Sequence, residues 1–265
     1  MVTSPPNVRY LSQLKPGIQS ALGWWDAPTM VLFSVSKDIR PVLVVNIVDG
    51  PAVLDEEENP CEPKFYGAFA MAFDEKLDEE EERFKQIYEQ CARNRRDALQ
   101  VISDFIASWN TERASLHLGI ENRHFPALGK DMLRNTFSQV TFVDIDDTLR
   151  EIRMIKTEEE VERIKQSSAI NVKAFRAVVE EMHPRVPESL LMETYVTEVV
   201  RHGATPLCTL IAGGRESAAV IPTHRKTRKI RKAETVRVDV GCEYKGYCSD
   251  VSRTIAVGNV PEKKR

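Results

Sequence analysis

The sequence has almost no excess charge of either sign. Its 265 residues carry 37 lysines and arginines against 40 aspartates and glutamates, a formal net charge of −3. Because a nucleic-acid-binding protein usually shows a clear basic excess, this balance argues against nucleic acid as a partner. The length fits one large or two modest domains, and a chain of this size can bury a core without a disulfide or a metal to hold it.

Cysteines and long apolar runs are also scarce. The five cysteines are odd in number, and none of them has the spacing of a metal-ligand pair. This pattern is typical of reduced thiols in a cytosolic protein. The first ten residues contain two prolines and an asparagine, unlike a signal peptide, and the apolar run 29–35 is far too short to cross a bilayer. We therefore expect a soluble cytoplasmic protein with no membrane partner.

The first 147 residues alternate between predicted strands and predicted helices. The strands are β-branched runs between turn residues, and the helices show apolar residues at helical spacing. The predicted elements are strands at 8–11, 30–35, 42–48, 115–120 and 140–145, a loop at 55–63, and helices from Asp78 to Phe105 and near 125–134. This order predicts an α/β layer domain.

A mostly charged segment, 148–156, links that domain to a second one. The second domain begins at a capping box, with Thr157 as the N-cap and Glu160 three residues on. Another helix is predicted to open at Pro187 and to stop at Gly203. Strands are predicted at 207–212, 235–240 and 247–257, the last two joined by a tight hairpin.

Asp239 and Asp250 stand in strands that are otherwise apolar. Aspartate is depleted in strands and costly to bury unless it is paired or bound to a metal. Because Gly246 lets the chain turn back, we expect the two carboxylates to face each other across the hairpin. Such a pair can hold one divalent ion or bridge two; its oxygen ligands suit Mn, Mg or Ca, and a paired site also suits Zn or Co. The spacing alone leaves an alternative equally open, in which one aspartate pairs with Arg253 or Arg237 and the other caps a turn.

His224 lies at the end of a loop that starts with Gly213 and Gly214. A lone histidine in a loop is more often a surface or core residue than a catalyst. The basic run 225–232 that follows would suit phosphate binding, but we interpret it as a solvated connector between strands. A nucleotide-binding loop is not indicated, because the two glycines are not followed by Lys-Ser or Lys-Thr.

Three segments together resemble the M24 family of pita-bread metallohydrolases, which includes Xaa-Pro dipeptidase (prolidase), aminopeptidase P, methionine aminopeptidase and creatinase. Residues 3–11 look like an early strand of the creatinase-type N-terminal domain, residues 149–160 look like the junction into the catalytic domain, and residues 236–254 carry both aspartates. The resemblance implies an α/β (α+β) fold. A creatinase-like α/β domain would span 1–147, a linker 148–156, and the first half of a pita-bread catalytic domain 157–265.

The resemblance also implies a site and an activity. Asp239 would be a terminal ligand of one metal ion and Asp250 would bridge two ions, which would be Mn, Co or Zn. His224 would correspond to the histidine that contacts substrate and helps to stabilise the transition state. The implied activity is that of a metal-dependent hydrolase cleaving peptides beside proline, with a peptide or small amide as substrate and a homodimer as one expected assembly. The alternatives are a creatinase-like or lyase relative and a non-catalytic module that binds a peptide or protein partner.

The chain departs from the family pattern in its last residues. The family's two-metal site takes five ligands, and one His and two Glu of the five come from the second half of the catalytic domain. Here no histidine follows His224. Between Gly258 and the last residue, Arg265, the sequence has a single glutamate, Glu262. We therefore expect a truncated gene, a partial sequence or a fragment of a longer protein, and we expect the 265-residue chain to be inactive by itself.

Overall fold

The computed structural model describes residues 1–15, 17, 28–34, 39–55, 59–109, 116–125, 127–137, 140–219 and 227–260. The chain divides into two compact units, Met1–Met154 and Ile155–Arg265. Each unit has its own buried cluster of apolar side chains. The mixed α/β fold class predicted from the sequence is confirmed.

The first unit is built around a central buried strand. Its described elements are α1 (Pro5–Ser12), β1 (Met30–Leu32), β2 (Val42–Asn46), α2 (Gly50–Leu54), β3 (Glu62–Tyr66), α3 (Glu79–Asn94), α4 (Ala98–Trp109), β4 (Leu116–Ile120), α5 (Ala127–Thr136), β5 (Val140–Asp144) and α6 (Asp146–Met154). Strand β2 pairs antiparallel with β1 and parallel with β3, and β4 pairs parallel with β5. Because side chains alternate along a strand, Val42 and Val44 enter one apolar cluster while Leu43 and Val45 enter another.

Residues 8–11 are helical, so the strand predicted there is wrong. Helix α1 begins directly after Ser4, and Pro5 and Pro6 occupy its first turn. Proline is tolerated in the first turn because the amide proton that it lacks would have no helical acceptor there. Val8 and Ser12, one turn apart, are both buried. The two prolines therefore start a helix instead of a turn before a strand.

The single helix predicted from Asp78 to Phe105 is two helices. Asp78 caps α3 in a complete capping box with Glu81, as the acidic first turn suggested. Helix α3 ends because Arg95 adopts a left-handed conformation with φ 47°, and α4 begins three residues later. Apolar spacing continues across this break, so periodicity alone does not locate it.

Strand β3 falls partly within the loop predicted at 55–63. It runs parallel to β2 at the edge of its sheet and contains Pro63. An edge strand tolerates proline because one side of its backbone needs no ladder partner. The turn-like composition of this stretch therefore concealed a strand.

The segment predicted as a linker, 148–156, is mostly helical. Helix α6 extends to Met154 and buries Leu149 in the core of the first unit. The next residue, Ile155, is 84% exposed. The domain boundaries proposed from the sequence stay a prediction.

The second unit consists of two helices packed on a three-stranded antiparallel sheet. Its described elements are α7 (Glu158–Glu180), α8 (Glu188–Arg201), β6 (Thr205–Gly213), β7 (Glu234–Tyr244) and β8 (Tyr247–Val257), with the strands in the order β6-β7-β8. The capping box of Thr157 and Glu160 is present with both of its hydrogen bonds, and Pro187 is the residue that caps α8. These predictions from local sequence are confirmed.

One face of the sheet in the second unit is fully buried. The side chains of Val236, Val238, Val240 and Cys242 have no exposed surface and pack into one cluster with residues of both helices. All five cysteines of the chain are free thiols. None of the helices among the described residues is long and apolar enough to cross a membrane.

Candidate metal centre

The β7–β8 hairpin determines where the two candidate aspartates lie. Tyr244 pairs with Tyr247, and the two residues between them, Lys245 and Gly246, have φ values of 46° and 90°. Positive φ at both central residues is the two-residue turn whose twist matches that of antiparallel strands. The tight hairpin predicted from Gly246 is therefore confirmed.

The register of the hairpin places the aspartates diagonally and not directly opposite. Asp239 pairs with Ser252, and Asp250 pairs with Gly241. The expectation that the carboxylates face each other is corrected in this respect: they occupy the same face of the sheet, offset by two residues along the strands. Diagonal neighbours on one face lie about 7–8 Å apart, within reach of a ligand held between their side chains.

Gly241, which pairs directly with Asp250, stands at a crowded position of the sheet. A Cβ added to it would lie 2.9 Å from the carbonyl oxygen of Ser249, 3.0 Å from Cys208 Sγ and 3.8 Å from Asp250 Oδ1. The first two distances are shorter than normal contacts, so a larger residue here would displace Ser249 or Cys208 and disturb the strand that carries Asp250. The close packing of β6, β7 and β8 therefore requires glycine at this point.

Asp239 on β7 and Asp250 on β8 lie on the face of the sheet that points away from the helices. The alternating valines of β7 are buried against α7 and α8, whereas Asp239 is partly buried and Asp250 is exposed. Arg253 donates to the carbonyl oxygen of its neighbour Ser252 at 2.7 Å. Among the described residues, no ion pair or side-chain hydrogen bond joins either aspartate to an arginine. The arginine-pairing alternative therefore finds no support in this part of the chain.

Buried polar side chains of α7 and α8 fix β7 from behind. Ser167 Oγ donates to the carbonyl oxygen of Cys242 at 3.2 Å and lies 2.9 Å from Ser249 Oγ. Asn171 Nδ2 donates to the carbonyl oxygen of Val240 at 3.2 Å, and Tyr195 donates its hydroxyl proton to Asn171 Oδ1 at 2.9 Å. These bonds hold the backbone on both sides of Gly241.

Sequence reasoning missed these positioning residues, although a signal was present. Ser167 and Asn171 stand four residues apart on the buried side of a helix. A polar pair at that spacing on an apolar face needs partners in the core, because burying an unpaired polar group is costly.

Cys208 is a further group beside the aspartates that the sequence did not single out. It pairs with Gly241 across β6 and β7 and is partly exposed. Burial raises the pKa of the Cys208 thiol, and the negative charges of Asp250 and Asp239 add to the effect. The raised pKa favours the protonated form of the thiol.

His224, the predicted substrate-contacting histidine, lies outside the described residues. The described residue closest after it is Thr227, followed by Arg228, whose side chain is 13% exposed. Arg228 donates to Glu188 Oε1 and to Glu234 Oε2, both at 2.8 Å. This buried ion cluster joins the first turn of α8 to the first residue of β7.

A second group of possible ligands lies in the first unit. Atoms of Glu121, His124 and Asp146 lie within 4.8 Å of one another. Glu121, however, already accepts hydrogen bonds from the backbone amides of Thr3 and Ser4 at 2.5 and 2.8 Å. It also accepts from Ser4 Oγ and from the side-chain amide of Asn7, each at 2.5 Å.

Glu121 is thereby committed to holding the start of α1. Asp146 in turn accepts from the amide of Arg123 at 3.0 Å. Because two of the three possible ligands already have donors, this cluster is a structural network and fits a cation less well than the open pair in the second unit.

A family model matches the part of the chain that contains the hairpin, and curated relatives match about half of the chain. Residues 162–265 match the model of metallopeptidase family M24. An Xaa-Pro aminopeptidase of Escherichia coli (strain K12) is 30% identical over 139 residues, which are 52% of this chain and 32% of that protein. An Xaa-Pro dipeptidase of Pyrococcus furiosus is 34% identical over 126 residues, which are 47% of this chain and 36% of that protein. The matches thus span about a third of the length of these relatives.

Solved structures extend the similarity of fold to nearly the whole chain. A prolidase of Pyrococcus horikoshii OT3 superposes with a TM-score of 0.69 at 23% identity. The superposition covers 99% of this chain and 61% of the prolidase chain. An X-Pro aminopeptidase of Thermotoga maritima gives a TM-score of 0.72 at 17% identity, with 99% and 64% covered. At these identities the similarity shows the fold alone, and it confirms the predicted fold class. Together with the family model, it leads to one conclusion: residues 162–265, which contain the hairpin and both aspartates, are similar to metallopeptidase family M24.

Proposed function

We propose that the second unit contributes two carboxylate ligands, Asp239 and Asp250, to the metal site of a peptidase. The observation that supports this most directly is the pairing register, which puts both aspartates on the outward face of the hairpin with Gly241 beside them. Unpaired carboxylates side by side repel each other, and a divalent cation between them removes that repulsion. The family itself is one of metallopeptidases.

Each residue would have its own task at this site. Asp250 would bridge two divalent ions and Asp239 would hold one of them, while the buried bonds of Ser167 and Asn171 keep β7 in place. When bound, such a metal pair lowers the pKa of a coordinated water and polarises the scissile carbonyl. The metal would be Mn, Co or Zn. His224 would contact the substrate.

The substrate proposal is a peptide with proline at the second position. It rests on relatives named as Xaa-Pro aminopeptidase and Xaa-Pro dipeptidase. Fold alone does not determine chemistry, so this step depends on the relatives and not on the geometry. A homodimer and a cytoplasmic location remain predictions from the sequence.

Metal binding by the chain is the first experiment. The 265-residue protein is titrated with Mn²⁺ and Co²⁺ by isothermal titration calorimetry, alongside Asp239→Asn and Asp250→Asn. We expect weak saturable binding that both variants lose, because each removes one of only two carboxylates. Glu193→Gln, which removes an exposed carboxylate on α8, is the matched control and should bind like the wild type. Equal binding by all four proteins would contradict the site.

Peptidase activity is tested separately with a proline-release assay. We expect negligible turnover of Xaa-Pro dipeptides by the 265-residue chain, because two ligands hold a metal pair too loosely to fix a reactive water. Protein expressed from the full open reading frame of the gene is assayed in parallel. Metal binding without any Xaa-Pro cleavage by that protein would reject the substrate while leaving the metal site intact. If the protein neither binds metal nor cleaves Xaa-Pro peptides, the result favours the non-catalytic alternative.

A further inference from the structure

A basic concavity lies in the second unit, away from the aspartates. Its volume is about 730 Å³, and it is lined by Pro184 and Arg185 on one side and by residues 227–232 on the other. Five of these lining residues are lysine or arginine. Such a concentration is unusual in a chain whose net charge is −3. Nothing in the proposed metal site uses it.

Backbone pairing builds this concavity. Pro187 and Lys229 form an antiparallel bridge, the amide of Ile230 donates to Val186 O, and the amide of Arg185 donates to Ile230 O, both at 2.8 Å. Side chains alternate along such an extended segment. Ile230 is 1% exposed and points into the core. Its neighbours Lys229 and Arg231 are therefore presented on the outer side, next to Arg185.

The cations on the outer side have no neutralising partner among the described residues. Arg228 points inward and is paired with Glu188 and Glu234. The other four, Arg185, Lys229, Arg231 and Lys232, are exposed and form no side-chain hydrogen bond or ion pair with the residues that the structure describes.

Like charges held side by side are unfavourable, and Arg185 adds to the cost by holding φ at 79°, a region that a residue with a side chain rarely adopts. An anion in the concavity would offset the repulsion.

We propose that this concavity binds a small ligand carrying several phosphate groups. Its volume is in the range of small-molecule sites, and arginine and lysine are the side chains that proteins use to hold phosphate oxygens. Single-stranded nucleic acid is disfavoured because no aromatic side chain lines the concavity, whereas such sites stack bases on aromatic rings. The concavity is separate from the candidate metal site. Its lining residues precede β7 in the sequence, and Asp239 is five residues beyond the first residue of β7, about 17 Å along the strand.

Calorimetric titration of the 265-residue chain with sodium tripolyphosphate tests the proposal. We expect saturable binding that weakens as salt rises from about 50 to about 200 mM. The double variant Lys229→Gln, Arg231→Gln should weaken binding by about tenfold for each charge removed. The matched control is Lys173→Gln, Arg176→Gln, which removes two exposed cations from α7. It should leave the affinity unchanged.

Three results with the wild type and the double variants would overturn the proposal. They are the lack of saturable binding by the wild type, an equal loss of affinity in the control variant, and tighter binding of a thymidine oligonucleotide than of tripolyphosphate. Arg185→Gly guards against a folding artefact, because glycine adopts φ 79° without strain. That variant should be at least as stable as the wild type and should still lose affinity. Unchanged affinity in Arg185→Gly would also count against the site.

Discussion

Glu121 in the first unit and Asp250 in the second are both carboxylates beside strands, but their surroundings differ. Glu121 is 1% exposed and accepts hydrogen bonds from three different residues near the start of the chain. Asp250 is exposed, and none of the described residues donates a hydrogen bond to its side chain. A carboxylate whose oxygens are saturated by protein donors stabilises the fold. One whose oxygens face outward is available to a ligand.

The largest effect should come from Glu121→Ala. The substitution leaves the amides of Thr3 and Ser4 without their acceptor in a buried place. We expect the free energy of unfolding to fall by about 3 kcal/mol, measured by urea denaturation. Glu151→Ala, at an exposed position of α6, should change it by less than about 0.5 kcal/mol. If the free energy of unfolding fell by a similar amount in the two variants, Glu121 would not differ from an exposed carboxylate in its contribution to stability.

Gly241→Ala should have an intermediate effect. The new methyl group would lie 2.9 Å from the Ser249 carbonyl oxygen and 3.0 Å from Cys208 Sγ, which is closer than van der Waals contact allows. Crowding of this kind costs about 2 kcal/mol. The methyl group would also lie 3.8 Å from Asp250 Oδ1, so a shift of the strands would move this carboxylate. Both urea denaturation and Mn²⁺ titration should therefore show a loss. Ser252→Ala, on the same face, is the control and should change stability little. Normal metal binding by Gly241→Ala would show that metal binding does not need glycine at this position.

Acid should weaken the first unit through Glu121. Burial alone would raise the pKa of this carboxyl group, but hydrogen bonds from Ser4, Thr3 and Asn7 outweigh burial and lower it. A carboxyl with a lowered pKa in the folded state contributes stability above its unfolded pKa and loses it as the pH falls through the folded value.

Urea denaturation from about pH 7 to about pH 3 should show this loss, and Glu121→Gln should remove that part of the slope. The effect is smaller than that of Glu121→Ala because the side chain stays in place. A wild-type slope identical to that of Glu121→Gln would contradict the assignment.

The smallest effect on stability should come from Asp250→Asn. The side chain is exposed and has no protein donor to lose among the described residues, so the free energy of unfolding should change by less than about 0.5 kcal/mol. Metal binding should nevertheless be lost, because the amide carries no negative charge. This separation of stability from binding is the opposite of what Glu121 should show. A large loss of stability in Asp250→Asn would make Asp250 a structural residue.

Local signals in the sequence predicted much of the second unit. The capping box of Thr157 and Glu160, the start of α8 after Pro187 and the turn at Gly246 depend on residues within a few positions of one another. In the first unit the same reasoning mistook α1 for a strand and overlooked β3. Proline is compatible with a turn, a first helical turn and an edge strand, so its presence did not distinguish them.

For the candidate site, the sequence by itself determined which residues are the candidates: two aspartates in apolar strands and a glycine that turns the chain. Only the tertiary structure decided how they are arranged. The register that sets Asp239 opposite Ser252 depends on the turn and on packing against α7, and Cys208 reaches the site from a different strand. The same holds for Glu121, which meets its donors more than a hundred positions away in sequence. Contacts between distant residues are made by packing of whole elements, and no local pattern encodes them.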